Sequence, residues 1–594
     1  MSRSQRRSAS AGLIKAFAVG VLLMWASYLE AQLLELRRMS FRSQPEKPAS
    51  DVNQDSVLDE HGNLYQTGLT VTLKYDSEGN LKWVVPIPGL SLALLPGGDL
   101  VVVHSSGGSA RISPDGTIAW AKTNVYGRVV KVEGSGSLRI LGNDGFNLKK
   151  LSAEGEILWE TDHRGSFAGA KADFLAIGPA GQVFLMGLSD TTQPPVSARS
   201  VVECVDSNGS LCWINLVNGG ENSRGSALVV ASSGDLFVTG TQDLSSQFTF
   251  THTYLVRFDP AGKQEQLALY KSTLGSASNS SEYGTTLALD RDENLLVASR
   301  GFSGSRSTVI SKYTSEGVRL WSTFHGPFWG DPLLITSGDA AIFVSNMPSK
   351  YPQNPGRVPE IVHVNRDGVV DWIFPIEEDH EFPLRFYFSV NNAYVRGATH
   401  LLLSGTKSDN TFPFYWDYEY QTREFLITEP ANRPEILESP RDLTTNFGTH
   451  ALLTVRAAEK QSTPGGLTYQ WLLQGEAIGG ATNSTLAISK IGTTNSGWYS
   501  VMVSNQSGAV VTPDALVVAV PEIHRPHLTA EGKVTFEFSS ERGLNYDIQV
   551  SGDLQAWQLY STITSVGDST VFIESELPHH IRRWYRVKPQ FSLP

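Results

Sequence analysis

Cys204 and Cys212 flank the turn VDSNGSL eight positions apart and are the only cysteines in a chain of 594 residues. If they face each other across adjacent strands, an oxidising compartment would join them as a disulfide. Two reduced, buried thiols are the other reading. Closing so small a loop removes little chain entropy, so the bond would add little stability. No cysteine cluster suits zinc or iron–sulfur. Asp51, Asn53, Asp55 and Asp59 alternate as calcium-loop ligands do, but Gly62 stands where the twelfth-position glutamate is needed. Asp290, Asp292 and Asn294 form a similar fragment. Both fragments also read as solvated turns, so no cofactor is expected, with calcium as the lesser reading. Glycoside hydrolysis needs two carboxylates at a set separation. Among 60 acidic residues no motif singles out such a pair, and no G-x-S-x-G, H-E-x-x-H or P-loop occurs. The acidic run Glu377, Glu378, Asp379, His380 and Glu381 reads as a solvated loop or as a contact for a cation or basic partner. His579 and His580 read as one solvated loop.

The elements that carry these residues repeat. A turn glycine is followed after three residues by tryptophan at Gly79–Trp83, Gly116–Trp120, Gly155–Trp159, Gly209–Trp213, Gly317–Trp321 and Gly368–Trp372. Gly262 opens the same phrase with Gln266 in the tryptophan place. A recurring phrase means one supersecondary unit copied in series. Each unit holds four short alternating strands with two tight turns, the positive φ coming from Asp-Gly, Glu-Gly or Asn-Gly. Eight units are counted, the last (NNAYVRGATHLLLSG…FYWDYEYQTREFLI) degenerate.

Charged residues are only 18% of the chain and the net charge is −12 with no basic stripe, which argues against a nucleic-acid partner. Arg3, Arg6 and Arg7 precede the apolar run AFAVGVLLMWASYL, the pattern of an export signal. Residues 1–32 are read as a cleaved signal peptide or an uncleaved membrane anchor, and 33–50 as a polar tether. Either way the bulk of the chain is expected in the periplasm, on the cell surface or outside the cell, touching membrane only through an uncleaved N-terminus.

Four strands per unit describe a β-propeller blade, and the unit resembles the tryptophan-docking repeats of quinoprotein-like propellers, outer-membrane assembly scaffolds among them. That resemblance covers residues 51–430 and implies tryptophans packed between blades; a ring of sugar-binding aromatics is the rival reading. Quinone chemistry would need adjacent cysteines and an acidic calcium site, which this sequence lacks. Residues 434–520 resemble an immunoglobulin-like domain through TYQW with Trp471 and NSGWYSVMVSN with Tyr499, with Val455 and Val501 in the cysteine places. Residues 522–594 resemble a small C-terminal β-sandwich module of exported bacterial proteins through Tyr546, Ser551, Asp553, Leu554 and Trp557, then Arg583, Tyr585, Arg586 and Val587. The expected fold is all-β: a seven- or eight-bladed β-propeller, an Ig-like β-sandwich and a small C-terminal β-sandwich.

By fold analogy the expected function is non-catalytic binding, adhesion or scaffolding, with a protein or glycan partner at the cell surface. The alternative is an enzyme acting on extracellular polysaccharide. The tight turns share one propeller face and stay short. On the opposite face the loops vary: first-turn position to second-turn glycine is 17 residues from Gly62 to Gly79 and 30 from Gly338 to Gly368. Binding groups concentrate on variable loops held by a rigid scaffold. Phe248, His325, Trp329, Tyr351 and Asp379 are therefore the ligand-binding candidates, over units four to seven.

Overall fold

The computed structural model describes residues 32–42, 52–143, 145–163, 171–190, 198–217, 223–243, 251–270, 281–302, 307–327, 333–337, 340–344, 360–375, 386–396, 400–412, 415–428, 433–459, 465–492, 495–554, 557–574 and 583–589. The described elements are β-strands, and among these residues no helix is long and apolar enough to cross a membrane. The signal or anchor segment, 1–31, lies outside the described residues.

The repeats form seven separate four-stranded antiparallel sheets, consistent with propeller blades, followed by additional β-sheets. In chain order the sheets span 53–85, 91–122, 129–162, 171–216, 223–270 and 281–327, and the last unites 386–428 with the N-terminal strand Gln32–Phe41. Between them, 333–375 supplies four more consecutive strands in the same order, continuous with a larger sheet. The first strand of each set touches the first strand of the next, and Phe386–Arg396 of the eighth set touches Asn53–Leu58 of the first. The contacts thus form a closed cycle of eight.

One clasp recurs at the seams. Indole Nε1–H of Trp83 donates to Pro114 O at 3.0 Å, Trp120 to Ala153 O at 3.1 Å and Trp159 to Ser207 O at 3.3 Å. Trp213 donates to Pro260 O at 3.2 Å and Trp321 to Arg366 O at 2.8 Å. Each acceptor lies two residues before the second-turn glycine of the next sheet. The ring lies so close to that glycine that a Cβ on Gly368, already at φ +82, would come within 2.6 Å of Trp321. Glycine is therefore required there twice over, by the left-handed backbone and by the indole. In the fifth sheet, where Gln266 replaces tryptophan, its neighbour Leu267 packs on Gly317 instead.

A basic residue nine positions before the tryptophan reinforces the clasp from the adjacent strand. Lys74 pairs in register with Trp83, Arg111 with Trp120 and Lys150 with Trp159. Lys74 Nζ and Arg111 Nη1 each donate at 3.0 Å to the carbonyl that the indole also uses, and Lys150 Nζ does so at 3.5 Å. Carboxylates of the first turn hold these cations in place: Asp99 lies 2.6 Å from Arg111, and Asp290 2.6 Å from Lys312.

The seam between the eighth set and the first corrects the expected domain boundary. Residues 33–41, expected within a tether, are strand: Gln32–Phe41 pairs antiparallel with Tyr415–Thr428 as the outermost strand of the eighth sheet. Here Arg37 takes the tryptophan role. Its Nη2 donates to Ser77 O at 2.6 Å, two residues before Gly79, and Met39 is buried beside it. Glu424 occupies the place of the basic residue and pairs with Arg37. Asn53 adds side-chain and backbone bonds to Ser404 and Thr406, both at 3.0 Å.

Residues 434–520 pack Trp471 and Tyr499 with Val455, Val501 and Val517 in one apolar core. Trp471 is fully buried, with its Nε1 donating to Asn483 O at 2.8 Å. The Tyr499 hydroxyl donates to Asn495 O at 2.7 Å. This unit is not strung loosely from the repeats. Val511 pairs with Val370 on the outer strand of the seventh set, and Met502, Leu472 and Val511 share a core with Trp321 and Phe343. The Arg319 guanidinium lies 4.4 Å above the Trp498 ring. Residues 523–589 form two three-stranded sheets around Phe536, Phe538, Tyr546, Ile548 and Phe572.

Candidate functional site

Four of the five ligand-binding candidates, Phe248, Trp329, Tyr351 and Asp379, lie outside the described residues, as do Glu377–Glu381 and His579–His580. The backbone of His325 pairs with Thr308 inside the strand Arg319–Pro327, and its side chain lies outside the description. None of the five candidate side chains is therefore among those the structure describes.

On the same face, where successive sheets are linked, the third and fourth sheets carry a polar corner that sequence reading missed. His163 follows the last strand of the third sheet. Its Nε2 lies 2.7 Å from the Thr161 hydroxyl, and its Nδ1 bonds the carboxylate of Glu203 in the fourth sheet. Glu203 is fully buried and its second oxygen has no partner among the described residues. Burial pushes the Glu203 carboxyl up, while the His163 bond opposes that shift. Nδ1–H donates to the carboxylate, which leaves Nε2 to accept from Thr161 when the ring is neutral. Nearby, Asn147 Nδ2 donates to Glu160 at 2.9 Å and Lys149 lies 3.1 Å from the same carboxylate. The Asn147 bond, joined by Lys149, holds the Glu160 carboxyl below the usual range. Arg128 reaches Asp173 at 2.7 Å across the same seam. The corner thus combines a hydroxyl, an imidazole and a buried carboxylate with exposed ion pairs.

The calcium-like fragments are spent on folding. Asp59 Oδ1 accepts from His61 N at 3.0 Å and Asn63 N at 2.8 Å, and Asp290 Oδ1 from Asp292 N at 2.9 Å and Asn294 N at 2.8 Å. Asp55 accepts from Ser91 Oγ at 3.0 Å and Leu92 N at 3.1 Å and so bridges two first strands. Asp51 lies outside the described residues. No group of three or more His, Cys, Asp or Glu placed to hold a metal ion occurs among the described residues.

Cys204 and Cys212 are both free thiols, the first buried and the second exposed, so the expected bond is not formed in the structure. The physical reason is register. Cys204 pairs with Trp213 and Val205 with Leu211, which makes Cys212 the extra residue of a bulge, close to Cys204 but out of register with it. Burial, then the nearby Cys212, pushes the Cys204 thiol up. A protonated, buried thiol reacts slowly. Alkylation of native protein is therefore expected to label Cys212 alone, with Cys204 following on unfolding; two unlabelled cysteines and a mass two hydrogens lighter would restore the bond.

No family model and no curated protein matches the chain. Among solved structures it is similar to BamB from Moraxella catarrhalis, at 13% identity and a TM-score of 0.41, over 66% of this chain and 100% of that one. It is also similar to a mutant puromycin hydrolase complexed with PGG, at 14% identity and a TM-score of 0.35, over 67% of this chain and 62% of that one. A third, Citrobacter koseri AztD, aligns at 12% identity with a TM-score of 0.33, over 60% of this chain and 94% of that one.

Proposed function

We propose that the chain is a non-catalytic binding or scaffold protein of the bacterial cell envelope or exterior, exported through its N-terminal segment. Its body is a closed eight-bladed propeller followed by an immunoglobulin-like domain and a small C-terminal β-sandwich. Its ligand, a protein or glycan, sits off-centre on the long-loop face over blades four to seven. The observation that supports this most is the closed cycle of first strands, with indole clasps at its seams. Such a ring is a rigid frame, and the loops that vary in length all hang from one side of it. Tryptophans engaged in the clasps are packing groups, which weighs against the sugar-binding ring.

The test is a glycan and protein pull-down with the full chain, repeated with Trp329→Ala and Tyr351→Ala. Partner capture is expected to fall by about tenfold, roughly 1.4 kcal/mol, with the melting temperature unchanged. Unchanged capture, or a partner mapped to the tight-turn face, would reject this placement. The enzyme reading draws on one observation, the hydroxyl–imidazole–carboxylate order of Thr161, His163 and Glu203, which is the order of a nucleophile, base and orienting acid. Release of sugar or acid from extracellular polysaccharide, abolished by His163→Ala, would favour it.

A further inference from the structure

At the closing seam a row of polar side chains on the eighth sheet meets two amides of the first. Asn392 and Thr422 flank Ser404 in register on the two neighbouring strands. Tyr394 and Tyr420, two places along those strands, share a core with Leu64 and Leu73, so this face of the eighth sheet looks toward the first. From the first sheet, Asn53 Nδ2 and Gln66 Nε2 donate to Ser404 Oγ at 3.0 and 2.7 Å. Asn53, Gln66, Ser404 and Thr422 are all fully buried.

Four oxygens around that hydroxyl have no hydrogen-bond partner among the described residues: Asn53 Oδ1, Gln66 Oε1, Asn392 Oδ1 and Thr422 Oγ1. An enclosed amide carbonyl without a donor is costly, and three of them gather here. Their nitrogens are committed. Two donate to Ser404, and Asn392 Nδ2 donates to Asp55 at 3.3 Å. Ser404 has one hydrogen to give, so turning the Asn53 and Gln66 amides over would still leave a carbonyl unserved and would strand their N–H groups. A single water has two hydrogens for three carbonyls. A cation satisfies all of them together, as carbonyl oxygens do when they replace an ion's hydration shell. The carboxylates at this seam are already engaged, Asp55 by Ser91 Oγ and Leu92 N and Glu424 by Arg37. The oxygens left over are neutral, which suits a monovalent ion rather than a calcium ion that draws on carboxylate ligands.

We propose that this enclosure binds one dehydrated alkali cation, with Asn53, Gln66 and Asn392 as carbonyl ligands and Ser404 and Thr422 as hydroxyl ligands. The bond from Asn392 Nδ2 to the Asp55 carboxylate polarises that amide and makes its oxygen a stronger ligand. The ion joins two strands of the first blade to three of the eighth, beside the strand that the N-terminus supplies. It binds the closed ring and not the unfolded chain, so it stabilises closure by mass action. The site is independent of the partner proposed for the long-loop face.

Thermal unfolding of the full chain in sodium, potassium, choline and calcium chloride tests it, at one ionic strength so that general screening is equal. A melting temperature about 2–4 °C higher in sodium or potassium than in choline is expected. Gln66→Leu and Thr422→Val each remove a ligand and should shrink that difference by at least half, whatever they do to melting in choline. Should Gln66→Leu fail to fold, Thr422→Val decides, and a difference equal to the parent's would overturn the proposal. So would equal melting in sodium, potassium and choline, or stabilisation by calcium alone.

Discussion

Deletion of the strand Gln32–Phe41 is expected to lower stability by more than about 5 kcal/mol and to broaden the unfolding transition. Two losses set that magnitude. Glu424, buried against Arg37, would lose that ion pair, at about 3–5 kcal/mol. Removal of the buried Met39 side chain adds about 2–5 kcal/mol. The eighth sheet would also expose the edge of Tyr415–Thr428, a row of unpaired backbone groups that invites association. Arg37→Leu isolates the first loss from the second and should account for roughly half of the effect. Denaturant unfolding monitored by tryptophan fluorescence measures both. A deletion variant that unfolds at the parental midpoint would mean that the ring closes elsewhere.

The reasons this strand was not legible in the sequence are particular. LLELRRMSF has two arginines and lacks the turn-glycine–tryptophan phrase, so nothing in its composition announces a blade strand. Yet the degenerate eighth unit was a signal. It carries three strands but lacks the second-turn glycine–tryptophan phrase, because its fourth strand arrives from the other end of the chain. A repeat array that ends one strand short needs that strand from somewhere, and the N-terminus is the only sequence upstream of the first blade. The six turn-glycine–tryptophan phrases were legible for the opposite reason. Their spacing is fixed by one local geometry, a left-handed turn residue overlain by the indole of the preceding sheet.

Trp471→Ala should destabilise the domain spanning 434–520 by roughly 3–5 kcal/mol, the range for removing a large, fully enclosed aromatic. The same substitution leaves Asn483 O without its indole donor. Because Val511 continues the sheet of the seventh blade and Met502 shares a core with Trp321, partial loosening of that blade should follow. Differential scanning calorimetry is expected to show the domain's transition moving down by several degrees, and a neutral outcome would contradict the enclosed position of Trp471. This domain was readable because a tryptophan and a tyrosine at the expected places sufficed even with valines for cysteines. Its docking against the seventh blade was not readable, since the contact residues are ordinary β-strand aliphatics.

The site was the least legible part. Thr161, His163 and Glu203 are dispersed over two blades, and no local spacing connects a histidine after one strand with a glutamate forty residues on. The basic residue opposite each tryptophan was within reach: Lys74, Arg111, Lys150, Arg257, Lys312 and His363 all stand nine places before the tryptophan or its substitute. Seen that way, Cys204, like Glu424 in the eighth set, departs from a series of basic residues. Its neighbour Cys212 is the bulge residue of this hairpin, so the eight-residue spacing brings the two close without setting them in register.

Hydrogen exchange across residues 32–42 tests the closed ring most directly. Amides paired with a blade strand exchange only through opening of the sheet. The account predicts protection through Leu33–Phe41 comparable to that of Leu401–Thr406, with Arg37→Leu reducing both together. Exchange complete within seconds throughout 33–41, while 401–406 stays protected, would show an unpaired N-terminal segment and contradict the ring.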